Sequence, residues 1–162
     1  MAAHVDTSKC PRREVHYGSP DDIVADALRL VDATALTTGN WRLAEIIDHL
    51  ATGIDLMIDG FDFQAPWYVR VVGRAFFKRR ILANGMPARL PFPGGPAVRP
   101  FVVGIEGERA VDHLRRATER LKATVVFAAH PVFGRMTRAE VMQLHLRHAE
   151  LHMGFVCEPA VG

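Results

Sequence analysis

A proline-rich segment in the middle of the chain restricts how the protein can fold. Residues 86–104 contain five prolines and the pair Gly94–Gly95, a composition that excludes both a helix and an interior strand. A connection of this length inside a compact domain usually carries function or joins elements that a hairpin cannot join, and parallel neighbouring helices require one. We therefore predict a long crossover with regular structure on both sides of it.

The apolar spacing on both sides of the crossover predicts an all-α fold. Ser19 and Pro20 are an N-cap and a first-turn proline, and Thr137 and Glu140 form a capping-box pattern at the start of the last helix. We take Asn40 as the cap of the second helix. The helices are predicted over residues 19 to about 33, 41–59, 67–82, 106–122 and from about 137 onward.

The composition fits one domain and gives little support to several classes of partner. We predict a loosely ordered arm over residues 1–17 and a single domain over residues 18–157 of the 162. The 20 basic and 18 acidic side chains leave a charge of +2, which does not indicate a nucleic-acid partner. No apolar run approaches the ~18 residues of a membrane span, so we expect no membrane partner and no export signal. Cys10 and Cys157 lack metal or redox spacing, which favours a cytoplasmic location.

The last helix places imidazoles on its apolar face. This face is formed by Val141, Leu144, His148, Leu151, His152 and Phe155. His148 and His152 are four residues apart and therefore within reach of a single ion. His145 lies about 10.5 Å along the axis from His152, too far for all three to share one metal. A third ligand should come from another helix, and His49, on the apolar margin of the second helix, is the best-placed candidate.

Three neutral imidazoles suit zinc, nickel, copper or iron(II), and they leave a coordination position for water or substrate. A zincin motif is absent, because Glu150 follows His148 by two residues and projects about 200° away from it. In a chain with 8 histidines, one HxxxH pair can also arise by chance. Inward placement favours a real site, since a buried imidazole without a partner costs roughly 1–3 kcal/mol.

Other polar residues receive weaker roles. His145 and His130 are expected at the rim of the pocket as acid/base or substrate contacts. His113 and Glu45 are expected to be solvated, although Glu45 could instead orient His49. The basic residues Arg70, Arg74 and Lys78–Arg80 keep nucleic-acid binding open as a minor hypothesis, but cations in the last turn of a helix explain the 78–80 run better.

The sequence around His49 and the last helix resembles a known family. The segment Trp41–Leu50, followed far downstream by His148 and His152, resembles the DinB-like superfamily of metal-dependent enzymes. The segment 130–137 resembles a branch described as a domain of unknown function, and the similarity covers about residues 12–156. The resemblance implies a four-helix bundle in up-down-down-up order with a long crossover, an extra helical segment near 66–82, and metal ligation by His49, His148 and His152.

The resemblance also implies an activity. Members with assigned activity transfer or isomerise substrates with small cytoplasmic thiols, bind zinc or nickel, and are frequently dimers. This chain departs from the branch after Leu151–His152, where the branch usually has adjacent histidines and a Gln-Phe-Gly ending. We therefore expect a metal-dependent enzyme with a small-molecule substrate, a low-molecular-weight thiol among the candidates. The alternative is a metal-stabilised binding module that catalyses nothing.

Overall fold

Helices make up the regular structure of the protein. The computed structural model describes residue 6 and residues 10–87 and 101–157, and this part of the chain contains no strand. The helices are α1 (Pro20–Asp32), α2 (Leu43–Asp59), α3, α4 (Gly107–Ala123) and α5 (Arg138–Met153). α3 is one continuous segment in which a π-helical turn, Gly73–Phe77, joins the α-helical parts Trp67–Val72 and Lys78–Asn84. The prediction of an all-α fold is confirmed.

Reciprocal side-chain caps begin α1 and α5. Ser19 Oγ accepts a hydrogen bond from the Asp22 amide at 3.3 Å, and the Asp22 carboxylate accepts one from the Ser19 amide at 2.8 Å. Thr137 and Glu140 make the same pair of bonds at 3.2 and 2.9 Å. Each cap satisfies backbone donors that the first helical turn leaves without a partner. Both helix starts were predicted from these residues.

The start of α2 differs from its prediction. The N-cap is Arg42, whose amide donates to the Glu45 carboxylate at 2.9 Å, so the helix begins at Leu43 and Asn40 is not its cap. Glu45 is only 8% exposed, which corrects the expectation that it is solvated. Because the helix starts two residues later than predicted, Trp41 lies in the turn that precedes it.

One hydrophobic core contains residues of α1, α2, α4 and α5. Most positions that the apolar spacing predicts to face inward are buried: Ile23, Ala27, Leu30, Ile46, Leu50, Ile54, Met57, Ala110, Val111, Leu114, Ala117, Thr118 and Leu121. Their burial removes apolar surface from water, the main favourable term in folding. None of the helices in the described ranges is both long and apolar enough to span a membrane.

α3 packs beside this core through only part of its surface. Gly73 and Ile81 are its buried residues. A Cβ atom on Gly73 would lie 2.4 Å from Val132 Cγ1, so the absence of a side chain allows α3 to approach the loop before α5. Ile81 packs in a small cluster with Phe133 and Leu144.

The segments that flank the helices are anchored by specific contacts. Within the predicted N-terminal arm, the Arg13 amide donates to the Gly154 carbonyl at 2.9 Å, and Tyr17 is buried with its hydroxyl 2.6 Å from Asp26 Oδ2. Most of the predicted proline-rich crossover, residues 88–100, lies outside the described residues. Its C-terminal end returns to the core where the Val102 amide donates to Asp48 Oδ2 at 2.7 Å.

Candidate metal centre

Three histidines from two helices come together. His49 lies on α2, and His148 and His152 lie on α5. One ligand atom from each can be chosen so that all lie within 4.8 Å of one another, and His49 Nε2 is 3.0 Å from His148 Nε2. The structure thus brings together the three residues that were predicted as metal ligands, and the group could hold a metal ion.

The helical period and the packing of α5 against α2 explain how these rings meet. His148 and His152 are one turn apart on α5, so their ring centroids are 4.8 Å apart. His49 lies 4.7 Å from the His152 ring and 4.8 Å from the His148 ring, measured between centroids. On α2, one turn after His49, Gly53 carries no side chain, and a Cβ atom there would lie 3.5 Å from His148 Cε1. The His148 ring therefore lies directly against the α2 backbone.

The site keeps the His148 and His152 imidazoles neutral. Burial lowers the pKa of His148 well below its ordinary value, and the neighbouring imidazoles lower it further. Burial, then the charge of His49, then that of Arg12, lower the pKa of His152 in the same way. His148 and His152 are each partly exposed, but the protein atoms around their rings exclude enough water to desolvate them. Neutral imidazoles carry the lone pair that a metal requires.

The donor set fits a divalent metal ion. Two imidazole nitrogens that each lie about 2.05 Å from a tetrahedral zinc ion would be roughly 3.3 Å from each other. The 3.0 Å between His49 and His148 Nε2 is close to this spacing.

An aromatic wall adjoins the three histidines. The Trp41 indole stacks on the His152 imidazole with centroids 5.2 Å apart and an interplanar angle of 8°, and it meets the His49 ring edge-on at 4.9 Å. The Phe101 ring packs edge-on against the Trp41 indole, with centroids also 4.9 Å apart. No sequence pattern gave Trp41 a role in the site. The predicted helix over residues 41–59 placed it two turns before His49, and this spacing could have indicated it.

A buried carboxylate next to His49 also escaped prediction. Asp48 is 1% exposed, and its Oδ1 lies 2.7 Å from His113 Nδ1, while His113 Nε2 lies 2.9 Å from Asp55 Oδ2. His113 was expected to be solvated, and that expectation is wrong. Burial by itself would lower the pKa of His113, but the bonds to both carboxylates and their charges outweigh it and raise the pKa. The side of α4 that carries His113 therefore packs against α2.

His145 and His130 lie near the three histidines but not among them. His145 is 6% exposed, so it is buried rather than at an open rim, and burial lowers its pKa to about 4. Burial also lowers the pKa of His130 to about 4. Both imidazoles are close enough to His148 that their charges would lower its pKa. Their catalytic roles stay predictions.

The hydrogen bonds of His130 define its tautomer. Its Nδ1 accepts from the amides of Val132 and Phe133, both at 3.1 Å, so the proton of the neutral ring is on Nε2. Its ring also stacks on Phe133 with centroids 4.6 Å apart. His145 Nε2 is buried and has no hydrogen-bond partner among the described residues. One nitrogen next to the site is therefore a fixed donor, and another is uncommitted.

Glu150, the acid closest in sequence to the histidine pair, is engaged elsewhere. Its Oε1 accepts from the Tyr17 amide at 3.1 Å, and its Oε2 pairs with Arg147. This agrees with the prediction that Glu150 faces away from His148, and it leaves the site without the base that a zincin uses.

Comparison with known proteins gives one match that covers nearly the whole chain. The model of a family described as "Protein of unknown function (DUF1569)" matches residues 9–159. No curated protein and no solved structure matches the chain. The matched range contains all six histidines discussed above, together with Trp41 and Asp48.

Proposed function

The chain belongs to this family of proteins of unknown function, and we propose that it is a metal-dependent enzyme in which His49, His148 and His152 hold a divalent ion. The observation that carries the proposal is the convergence of imidazoles from residues 99 positions apart in sequence, with ligand atoms within 4.8 Å. The neutral imidazoles of His148 and His152 carry lone pairs that a divalent ion can bind in this desolvated site.

A wider kinship is part of the same proposal. The segments 41–50 and 130–137 and the pair His148 and His152 support membership of the DinB-like superfamily. The shared core of α1, α2, α4 and α5 supports its four-helix bundle in up-down-down-up order, with α3 as the extra segment. In that arrangement the crossover joins the second and third main helices.

Zinc and nickel are the proposed ions, because both accept three imidazoles and a further exchangeable ligand. When bound, such an ion lowers the pKa of a water or thiol in its remaining position and so supplies a nucleophile near neutral pH. A low-molecular-weight thiol is the proposed cosubstrate, and the cytoplasm is the proposed compartment. The free state of Cys10 and Cys157 is compatible with such a reducing environment.

The protein's own residues supply positioning and proton contacts in this proposal. Trp41 holds the His152 and His49 rings from one side, so it fixes the direction in which their nitrogens point. His130, with its proton on Nε2, is proposed as a hydrogen-bond donor to the substrate. His145 is buried, and its lowered pKa keeps the ring neutral at pH 7.

A metal-stabilised binding module is the second candidate function, and the carboxylates favour it. Glu150 is bonded to Tyr17 and Arg147, and Asp48 is bonded to His113 and Val102. Each nearby acid is thus held in a structural role, so none is available as a general base. In that case the ion would connect α2 to α5 without chemistry.

Metal analysis of untagged protein tests the ligand set. We expect close to one equivalent of zinc or nickel in the wild type and loss of most of it in His148→Ala. His16→Ala is the matched control, since the His16 side chain is 85% exposed, and it should keep the metal. Less than about a tenth of an equivalent in the wild type, unchanged in His148→Ala, would contradict the proposal.

Activity assays then separate the enzyme from the binding module. Conjugation of an electrophile should be measured with glutathione, bacillithiol and mycothiol, with the metal present and after its removal by a chelator. Metal-dependent turnover with any of these thiols supports the enzyme. Bound metal without turnover on all three thiols favours the module.

A further inference from the structure

One side of α3 leaves large apolar side chains in solvent. Trp67 is 75% exposed and Phe76 is 72% exposed. The α3 surface is the set of exposed large apolar residues on this helix: Trp67, Tyr68, Val71, Val72, Phe76 and Phe77. With about 200 Å² for a whole aromatic side chain, the exposed fractions of its four aromatic rings amount to roughly 500 Å². An apolar patch of this size is near the upper end for a monomeric protein and marks a place where something binds.

The helical period gathers most of these side chains into two adjoining rows. Tyr68, Val72 and Phe76 follow one another at intervals of four residues, and Trp67 and Val71 form the second row. The opposite side of the helix is turned toward the protein and carries its two buried residues. The α3 surface therefore projects away from the core.

The same helix carries positive charge only. Residues 67–84 contain five cations and no acid. Lys78 is paired with Glu140 at 2.6 Å, and the half-buried Arg70 donates to Gln64 at 3.2 Å. The other three cations are exposed and have no carboxylate partner among the described residues: Arg74, Arg79 and Arg80. An occupant that complements this helix must therefore supply apolar contact and negative charge together.

A lipid bilayer with anionic headgroups meets both demands. Trp and Tyr side chains prefer the boundary between headgroups and acyl chains, because one part of each ring is apolar and the other is polar. Arginine side chains cover apolar surface with their stems while the guanidinium groups stay at the phosphates. A basic helix with an aromatic and aliphatic face is typical of helices that lie in the plane of a membrane surface.

Other occupants fit these observations less well. A partner helix is recognised in a groove, whereas Trp67 and Phe76 project from the molecule with 75% and 72% of their surface exposed. Single-stranded nucleic acid stacks its bases on aromatic rings, and Val71 and Val72 offer no such platform. A second copy of the chain would place cations against cations.

We propose that the α3 surface docks the protein onto a bilayer that contains anionic lipid, with α3 parallel to the membrane plane. The apolar rows enter the interfacial region, and Arg74, Arg79 and Arg80 lie at the level of the phosphates. Such a helix lies in the interface rather than across it, so the expectation of no membrane partner, which rested on spanning length, does not apply to it. The docking does not depend on whether the three histidines bind a metal.

Sedimentation of the full chain with vesicles tests the docking. We expect binding to phosphatidylcholine vesicles that contain about one-third phosphatidylserine, and roughly 100-fold weaker binding to pure phosphatidylcholine. The double variant Val71→Asp/Phe76→Asp should lose binding and keep the helical circular dichroism of the wild type. Val125→Asp/Val126→Asp is the matched control, since these valines are 77% and 76% exposed but lie outside α3, and it should keep binding.

A second pair of variants separates the cations of α3 from the net charge of the chain. Each basic residue next to an anionic leaflet strengthens binding about fivefold, so Arg79→Gln/Arg80→Gln should weaken it roughly 25-fold. Arg115→Gln/Arg116→Gln removes the same charge from exposed positions on α4, and it should bind like the wild type. Equal weakening by both pairs would show attraction by net charge alone and overturn docking through α3.

The fluorescence of Trp67 shows where α3 lies. The chain has two tryptophans, so in Trp41→Phe the emission comes from Trp67 alone. When the phosphatidylserine vesicles are added, this emission should shift to shorter wavelength and be quenched by brominated acyl chains. Binding without either change would place another surface of the protein on the membrane and overturn the proposal.

The vesicle assay can also contradict the proposal directly. Binding that is absent, or that survives Val71→Asp/Phe76→Asp, would do so. Where vesicles are not bound, light scattering and titration with a fluorescent single-stranded oligonucleotide identify the occupant instead. Loss of a dimer in Val71→Asp/Phe76→Asp would then indicate a second copy, and loss of oligonucleotide binding would indicate nucleic acid.

Discussion

At the scale of single residues, the surroundings of a side chain decide its role more than its type does. The protein has 8 histidines, and five of them lie in or next to one desolvated site. Burial lowers the pKa of four of these, His130, His145, His148 and His152. His113 has the opposite behaviour, because Asp48 and Asp55 face both of its nitrogens. Burial favours the neutral form of the imidazole in one place, and two carboxylates favour its protonated form in the other.

His113 therefore makes stability depend on pH in a direction that can be stated. Its pKa in the folded protein is raised above 6.5, so its stabilising contribution is fully present below pH 6.5 and is lost as pH rises through the folded pKa. We expect His113→Gln to lower the melting temperature most at pH 5.5–6.5 and progressively less above that. Thermal unfolding of both proteins across pH 5.5–9 measures this difference.

The other histidines do not obscure that test, because it uses the difference between two proteins at each pH. His130, His145, His148 and His152 have lowered pKa values, so they destabilise both proteins alike as pH falls below 6.5. His16→Gln, at an exposed position, should show no such pH-dependent difference. A loss in His113→Gln that is constant with pH would contradict the charged pairing with Asp48 and Asp55.

At the scale of secondary-structure elements, close backbone approach positions α3. The π-helical turn Gly73–Phe77 rotates the second half of the segment, so that Gly73 and Ile81 both face the protein. A methyl group at Gly73 would overlap Val132, whose branched side chain has few alternative rotamers.

Gly73→Ala should consequently destabilise the protein by about 1–3 kcal/mol, despite the better helix propensity of alanine. Val132→Ala removes the atom that is 2.4 Å away, so the double variant should recover part of that loss. Urea unfolding of the four proteins in this cycle gives the coupling free energy. A stability of Gly73→Ala equal to wild type, or simple additivity of the two changes, would show that α3 does not depend on this contact.

At the scale of the whole molecule, an ion bound by His49, His148 and His152 would connect α2 to α5 across the core. A ligand that binds only the folded state at about 100 times its Kd stabilises it by about 2.7 kcal/mol. For a chain of this size that corresponds to a rise in melting temperature of roughly 5–10 °C.

We expect this rise when zinc or nickel is added to chelator-treated protein, and we expect it to disappear in His148→Ala. Differential scanning calorimetry on the treated protein, with and without the ion, measures it. His16→Ala should keep the full shift. The same shift in His148→Ala would place the ion somewhere other than the three histidines.

The sequence predicted features that depend on short-range geometry. The caps at Ser19 and Thr137 involve residues three positions apart, and the pairing of His148 with His152 follows from one helical turn. The buried faces of α1, α2 and α4 follow from the apolar period. The choice of His49 as the third ligand also agrees with the structure's geometry, because its place on the apolar margin of α2 is a local property.

Only the tertiary structure decided which helix faces which. Asp48 and His113 each lie off the apolar stripe that the sequence predicts for their own helix. They are brought together because those sides of α2 and α4 pack against each other. Trp41, in the turn before α2, joins the site by packing against the rings of His49 and His152. These contacts join residues distant in sequence, and a periodicity within one helix carries no information about the neighbour that packs against it.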